Sequence, residues 1–313
     1  MMPRLQSQFL ARLLGNRAMQ KEFAIDIGTN SIRLLYAKME QGKLHTVKKL
    51  VNTVRTGEGV NASGRLCEAA IRRTIQGISE FVRQAKQWGA KEVLAFATSA
   101  VRDAENGQAF VERVWQECGV RVQILQGEQE AICGITGALG GKEQGAIIDI
   151  GGGSTEIAVM RQGKLASADS INIGCVRGLE LFAEEEYEQL IDWAKKSFLE
   201  LNLQELPKLY GIGGTATALA AIDLGLEKYD PEKVDGHEIA AQRLEALMGE
   251  ILRLSKQERI RRMCLDGGRA EVIVYGLAVL LGFCRAYHIP KIVVSEADNL
   301  EGYVLLKQMG KLS

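Results

Sequence analysis

The chain has 313 residues, and its 39 Lys and Arg balance 39 Asp and Glu, so the formal net charge is zero. At about 150 residues per domain the length suggests roughly two domains, and 46% apolar with 25% charged residues excludes a disordered tail, a coiled coil and a collagen-like chain. Without a global basic field, neither nucleic acid nor an anionic membrane is an expected partner, and a polyanionic ligand must be held by local groups.

Residues 1–19 carry Arg4, Arg12 and Arg17 and no acid. Arg12 interrupts the apolar stretch 9–14, so the segment reads as a disordered leader and not as a secretory signal. From residue 21 the pattern alternates. Strands are predicted at 23–27 and 32–38, then a helix at 65–88 ended by Gly89, a strand at 92–97, a helix at 107–118, a strand at 120–125 and a helix at 128–139. Gly140, Gly141 and Gly145 then interrupt the chain and mark a hinge. Strands at 146–150, 155–161 and 165–173 open the second half. Helices at 184–202, 215–223, 237–254 and 270–287 follow, with short strands at 208–212 and 291–295. This is an α/β pattern. The apolar run 272–284 is shorter than the roughly 20 residues a membrane span needs and reads as a core helix. The six cysteines form no C-x-x-C pair and the three histidines stand apart, which suits buried thiols in a reducing cytosol better than a disulfide framework or a zinc site.

Glycine is the skewed residue, 34 in all, and its placement is informative. Asp26-Ile-Gly-Thr-Asn-Ser31 and Asp149-Ile-Gly-Gly-Gly-Ser154 repeat one pattern 123 residues apart, each between two strands. Such a repeat implies two related halves, whose hairpins would bracket a shared ligand. Turns of this kind let successive backbone N–H groups form a nest for phosphate oxygens, with Thr29, Asn30, Ser31, Ser154 and Thr155 as further donors. An Asp beside such a nest would repel phosphate unless a cation lay between, so Asp26 and Asp149 point to Mg²⁺. A third turn, Gly211-Ile-Gly-Gly-Thr215, opens a helix, and its Gly213, Gly214 and Thr215 are candidate phosphate donors. No Gly-Lys-Ser/Thr follows, and the first two turns run into strands, so neither a P-loop nor a Rossmann site is expected. Arg102 falls at the C-terminal edge of a strand, where a guanidinium can grip a phosphoryl group. Glu128 and Glu130, in the first turn of a helix, are candidates for a general base.

These motifs occur together and in order: DIGTNSIRL (26–34), ATSAVRDAENG (97–107), GEQEA (127–131), DIGGGSTE (149–156), GIGGTAT (211–217) and GRAEVI (268–273). INIGCVRGLELF (171–182) adds to the set. The chain thereby resembles the exopolyphosphatase/guanosine pentaphosphate phosphohydrolase (Ppx/GppA) family over residues 21 to about 308. The resemblance implies two actin-like, ribonuclease H-like domains flanking a cleft, at 20–132 and 133–313, with a last helix near 297–310 packing back on the first domain. By position, Glu130 corresponds to the general base and Arg102 to the arginine on the terminal phosphoryl group. Asp149 and Glu156 match the acids that organise Mg²⁺, with Asp26 as a third candidate ligand; Mn²⁺ and K⁺ are further candidate ions. Gly28, Thr29, Asn30 and Ser31 form the first phosphate loop, and Gly151, Gly152, Gly153 and Ser154 the second. Two departures stand out: Thr29 replaces a usual Ser, and Gln129 replaces the first Glu of G-x-E-E-A, removing a charge beside the base. The resemblance implies a Mg²⁺-dependent hydrolase releasing orthophosphate from polyphosphate ends, with guanosine pentaphosphate hydrolysis as the alternative and a non-catalytic polyanion sensor as the outsider. It also implies a short, cytoplasmic, two-domain form that takes compact substrates and pairs as a homodimer.

Overall fold

The computed structural model describes residues 19–312; apart from Met19, the leader read at 1–19 lies outside the described residues. Two sheets organise the chain. The first is built from β1 (Gln20–Ile27), β2 (Ile32–Glu40), β3 (Lys43–Asn52), β4 (Leu94–Ala97) and β5 (Val122–Ile124), in the order β3-β2-β1-β4-β5. The second comprises β6 (Gly145–Ile150), β7 (Thr155–Arg161), β8 (Lys164–Ile171), β9 (Leu209–Ile212), β10 (Glu238–Ala240) and β11 (Lys291–Val294), in the order β10-β11-β9-β6-β7-β8. In each sheet an antiparallel meander of three strands is extended by two parallel strands on its other side. The two repeated Asp-Ile-Gly segments therefore end β1 and β6, the equivalent inner strands, so the sequence repeat is a repeat of topology.

Three local differences from the sequence reading have clear causes. β3 lacks alternation because it is a largely exposed edge carrying Lys43 and Lys48, residues that discourage edge-to-edge pairing. The helix expected from 237 begins at Ala241, since Ile239 is buried in the short strand β10. A helix at Lys256–Arg262 is additional to those expected, although Ser255 and Glu258 form a reciprocal capping box at its start, a signature legible in sequence. The helix Gly267–Tyr287 is, at 21 residues, long and apolar enough by composition to cross a bilayer, and it lies mostly buried in the second core.

The chain closes each half with a helix, and the two closing helices are exchanged. Helix Gly127–Leu139 follows the first sheet, yet its Ala131, Ile135, Ala138 and Leu139 pack with Ile147, Ala158, Tyr210 and Val293 of the second. Helix Asn299–Gln308 follows the second sheet, yet its Leu300, Tyr303, Val304 and Leu306 pack with Ala24, Leu35, Ala37 and Phe96 of the first. The boundary expected at 132/133 thus falls within the unbroken helix Gly127–Leu139. The two helices also press on one another. A Cβ at Gly137 would fall 2.0 Å from the Asp298 carbonyl oxygen, and one at Gly302 only 1.7 Å from that of Cys133. Only a bare Cα permits such an approach. Gly302→Ala should therefore destabilise the protein by roughly 3 kcal/mol or more in denaturant unfolding. Gly249→Ala, in helix Ala241–Leu252 with nothing near the added methyl, should instead stabilise it by about 0.5–1 kcal/mol.

Candidate active site

The two hairpins are equivalent in backbone and opposite in charge. Strand register pairs Asp26 with Arg33 across β1 and β2, and Asp149 with Glu156 across β6 and β7. In the first hairpin the Arg33 Nε and Nη2 donate to Asp26 Oδ2 at 2.9 and 2.6 Å, so the carboxylate is neutralised where it stands. In the second, two carboxylates lie side by side. Ser170 Oγ donates to Glu156 Oε1 at 2.7 Å, while Glu156 Oε2 is buried with no protein partner among the described residues.

The turns that follow the two aspartates meet. A Cβ at Gly152 would lie 2.8 Å from Thr29 Cβ, which shows how closely the loops abut. Between them lies a cavity of about 120 Å³, lined by Asp26, Gly28 to Ser31, Glu130, Asp149, Gly151 to Ser154 and Gly213 to Thr215. The structure thus gathers all three glycine turns at one place. Gly213, at φ 72°, stands so close to Asp149 that a Cβ would meet its Oδ1 at 2.3 Å. Two candidates stand behind the lining. Arg102, on the short helix Ser99–Arg102 after β4, donates from Nη1 to Glu130 Oε2 at 3.1 Å and to the Leu125 carbonyl at 3.2 Å, while Glu156 sits opposite Asp149 on the neighbouring strand. The Thr215 hydroxyl donates to the Ile150 carbonyl at 2.9 Å and Thr155 to that of Ile173 at 2.6 Å, so both hydrogens are spent on backbone.

The two acids of the Gly127–Leu139 helix separate cleanly: Glu128 is exposed and Glu130 is 6% exposed. Gln129 turns back to accept the Gln126 N–H at 2.9 Å. The side chain at 129 thus caps the helix, a bond that Glu or Gln can make, so the substitution removes a charge and keeps the cap; the capping role is one that sequence reasoning missed. The run of arginines at 259–269 forms no continuous track. Arg259 is buried against Glu184, with Nη1 at 2.9 Å, Arg261 and Arg262 face solvent, and Arg269 alone of the run lines the cavity. Arg55 and Lys256 both pair with Glu271, the neighbour in sequence of the lining residue Val272.

Sequence reasoning also missed a second group of residues at the site. Arg33 Nη1 reaches Asp298 Oδ2 at 2.5 Å, Lys49 pairs with Glu301 at 2.9 Å, and Asn299 Nδ2 donates to Asp149 Oδ2 at 2.9 Å. Asp298 and Glu301 form a capping box at the start of the last helix, which is visible in sequence; their partners some 250 residues away are not.

Charge governs this site. Arg33 and Arg102 are the cations bonded to Asp26 and Glu130; Arg269 lines the same cavity, and Lys49 adds its charge near Asp26. Burial raises all four carboxyls. Asp149 and Glu130 stand well above the usual range, and for each the Glu156 charge is the next cause. Burial pushes Glu156 up to about 7 against hydrogen bonds that lower it. Asp298 goes the other way: burial would raise it, but Arg33 and Lys49 hold it down to about 2. Asp26 Oδ1 and Glu156 Oε2 are buried and unpartnered among the described residues, and the acids exceed the bases, so the donor set fits a hard divalent cation. Among the described residues no three His, Cys, Asp or Glu side chains converge on a point, so water and phosphate oxygens would have to complete the shell of an ion such as Mg²⁺. The stability consequence has a definite sign. A carboxyl raised on folding contributes stability that is full below its unfolded value, 4.5 for Glu156, and is lost as pH climbs through its folded value. In metal-free buffer the wild type should lose a few kcal/mol relative to Glu156→Gln between about pH 4.5 and 7, read as the divergence of two melting curves against pH.

Comparison with known proteins agrees with this architecture. The family model for the Ppx/GppA phosphatase family matches residues 35–311. Exopolyphosphatase 2 of Mycobacterium tuberculosis is 31% identical, covering 92% of this chain and 98% of its own. A bifunctional 3-dehydroquinate synthase/phosphatase of Fusobacterium nucleatum is also 31% identical over 90% of this chain, which spans only 46% of that protein. Guanosine-5′-triphosphate,3′-diphosphate pyrophosphatase of Photobacterium profundum is 27% identical, and the chain spans 58% of its length. The crystal structure of the Aquifex aeolicus Ppx/GppA family member superposes with a TM-score of 0.79 at 28% identity, covering 95% of this chain and all of that one. Two sheets in two actin-like halves, the expected fold class, are what these relatives share. The chain belongs to the Ppx/GppA phosphatase family.

Proposed function

We propose that the protein is an exopolyphosphatase, a hydrolase that releases orthophosphate from the end of an inorganic polyphosphate chain. The observation that carries this reading is Glu130: a buried carboxyl, held 3.1 Å from Arg102, at the wall of a cavity bounded by three glycine turns. A general base works best with a pKa raised toward the working pH, and burial with the neighbouring Glu156 charge raises that of Glu130.

In this reading the amides of Gly28–Ser31 and Gly151–Ser154 hold the terminal phosphates, and Arg102 neutralises charge on the group being transferred. Glu130 orients a water in line with the terminal phosphorus and takes its proton as the oxygen attacks. The P–O bond to the penultimate phosphate breaks, and the shortened chain leaves with the bridging oxygen. Asp149 and Glu156 would hold Mg²⁺, which supplies neutralisation of the phosphate oxygens when bound. Asp26, already paired with Arg33, is a weaker candidate ligand than either of them. Positioning and electrostatics dominate such transfers.

The test is orthophosphate release with Mg²⁺ from tripolyphosphate, long-chain polyphosphate and guanosine pentaphosphate at matched concentrations of chain ends. Release is expected to be fastest from a polyphosphate and abolished by chelator. Preference for the pentaphosphate would make the nucleotide the substrate, and silence on all three would leave a sensor. Glu130→Gln should lower kcat roughly 10²–10⁴-fold with the fold intact; near wild-type turnover would rule out Glu130 as the base.

A further inference from the structure

Resting on the phosphohydrolase reading above, we infer that Asn299 is a positioning residue that aims Asp149. Asn299 is the first residue of the last helix and is 3% exposed. Its Nδ2 donates to Asp149 Oδ2 at 2.9 Å, across 150 residues of sequence. Its own Oδ1 is buried without a partner among the described residues and lies beside Gly134, where a Cβ would stand 2.8 Å away. A buried acceptor left unmet costs free energy. The opposite amide orientation would set oxygen against a carboxylate oxygen, so the bond to Asp149 fixes which way the amide points.

The type of donor matters. Arg33 holds Asp26 with a full positive charge and neutralises it. Asn299 holds Asp149 with a neutral N–H, fixing the direction of the carboxylate while leaving its charge for a cation. Partners that orient a metal-binding side chain in this way typically matter by 10–100-fold in affinity or activity.

Placement strengthens the case. Asp298 and Asn299 are neighbours, and each reaches a different hairpin: Asp298 takes Arg33 Nη1 at 2.5 Å, Asn299 takes Asp149. Lys49 ties the same turn down through Glu301 at 2.9 Å and Asp298 at 3.4 Å. The start of the last helix therefore gauges the spacing between the two turns. Because that helix packs on the one bearing Glu130, it also registers Asp149 against the proposed base.

Two variants test this. Asn299→Ala removes the amide; Asn299→Asp keeps its shape and replaces the donor with a like charge. With unchanged far-UV circular dichroism, each should lower kcat for orthophosphate release from tripolyphosphate by roughly 10–100-fold. KM should stay within about threefold, and Mg²⁺ affinity by calorimetry should weaken about tenfold. Folded variants with wild-type kcat and Mg²⁺ affinity would overturn the inference. A readout free of activity comes from melting the Asn299→Ala, Asp149→Ala and doubly substituted proteins. Non-additive shifts in Tm are expected, and strictly additive shifts would count against the contact. A wild-type protein silent on tripolyphosphate, long-chain polyphosphate and guanosine pentaphosphate overturns the phosphohydrolase reading, and the melting cycle then decides the placement of Asn299 by itself.

Discussion

A carboxylate withdrawn from water must be met by a positive charge, by hydrogen bonds or by a proton. The centre of this protein is organised around that constraint. Two hairpins with the same backbone resolve it differently: Asp26 has its countercharge in Arg33 across the hairpin, whereas Asp149 faces a second carboxylate, Glu156. One copy of the repeat has become a structural brace and the other an unfinished site. The difference comes down to the residue seven positions after each aspartate.

The neighbouring elements serve that unfinished site. Glycine at 213 lets a third turn close on Asp149, Ser170 steadies Glu156 from the adjacent strand, and the Gly127–Leu139 helix brings Glu130 against Arg102. Each group comes from the end of a strand or the first turn of a helix, where backbone rigidity fixes its direction. The result concentrates negative charge where a cation and a polyanion would meet. That separates the site from a simple anion nest, which needs donors but no buried acids.

Much of this is legible in the sequence, and the limits are physical. The glycine turns and their repeat can be read because local chain geometry demands those residue types, whereas Glu130 is told from Glu128 only by the family resemblance. β3 cannot, since an edge strand of lysines carries no burial pattern. Gln129 reads only as a lost charge, because its reach back to the Gln126 N–H is a matter of side-chain direction. Arg33 stands in plain view within the first motif, and its meaning comes only from the register that sets it opposite Asp26. Asp298 and Asn299 are the least accessible: a capping signature marks a helix start, but nothing local reveals that this start lies between two hairpins more than a hundred residues distant.

The exchanged closing helices bear on how the two halves hold together. Each half carries a sheet and a helix, but the helix covers the sheet of the other half. A chain of half this length, with the same plan, would leave one face of its sheet bare and its closing helix unhoused until it met a second copy. The exchange therefore locks the two halves into one unit, since neither sheet is covered on both faces until both have formed. Within it the two Asp-Ile-Gly hairpins differ at the residue that faces the aspartate, Arg33 in one and Glu156 in the other.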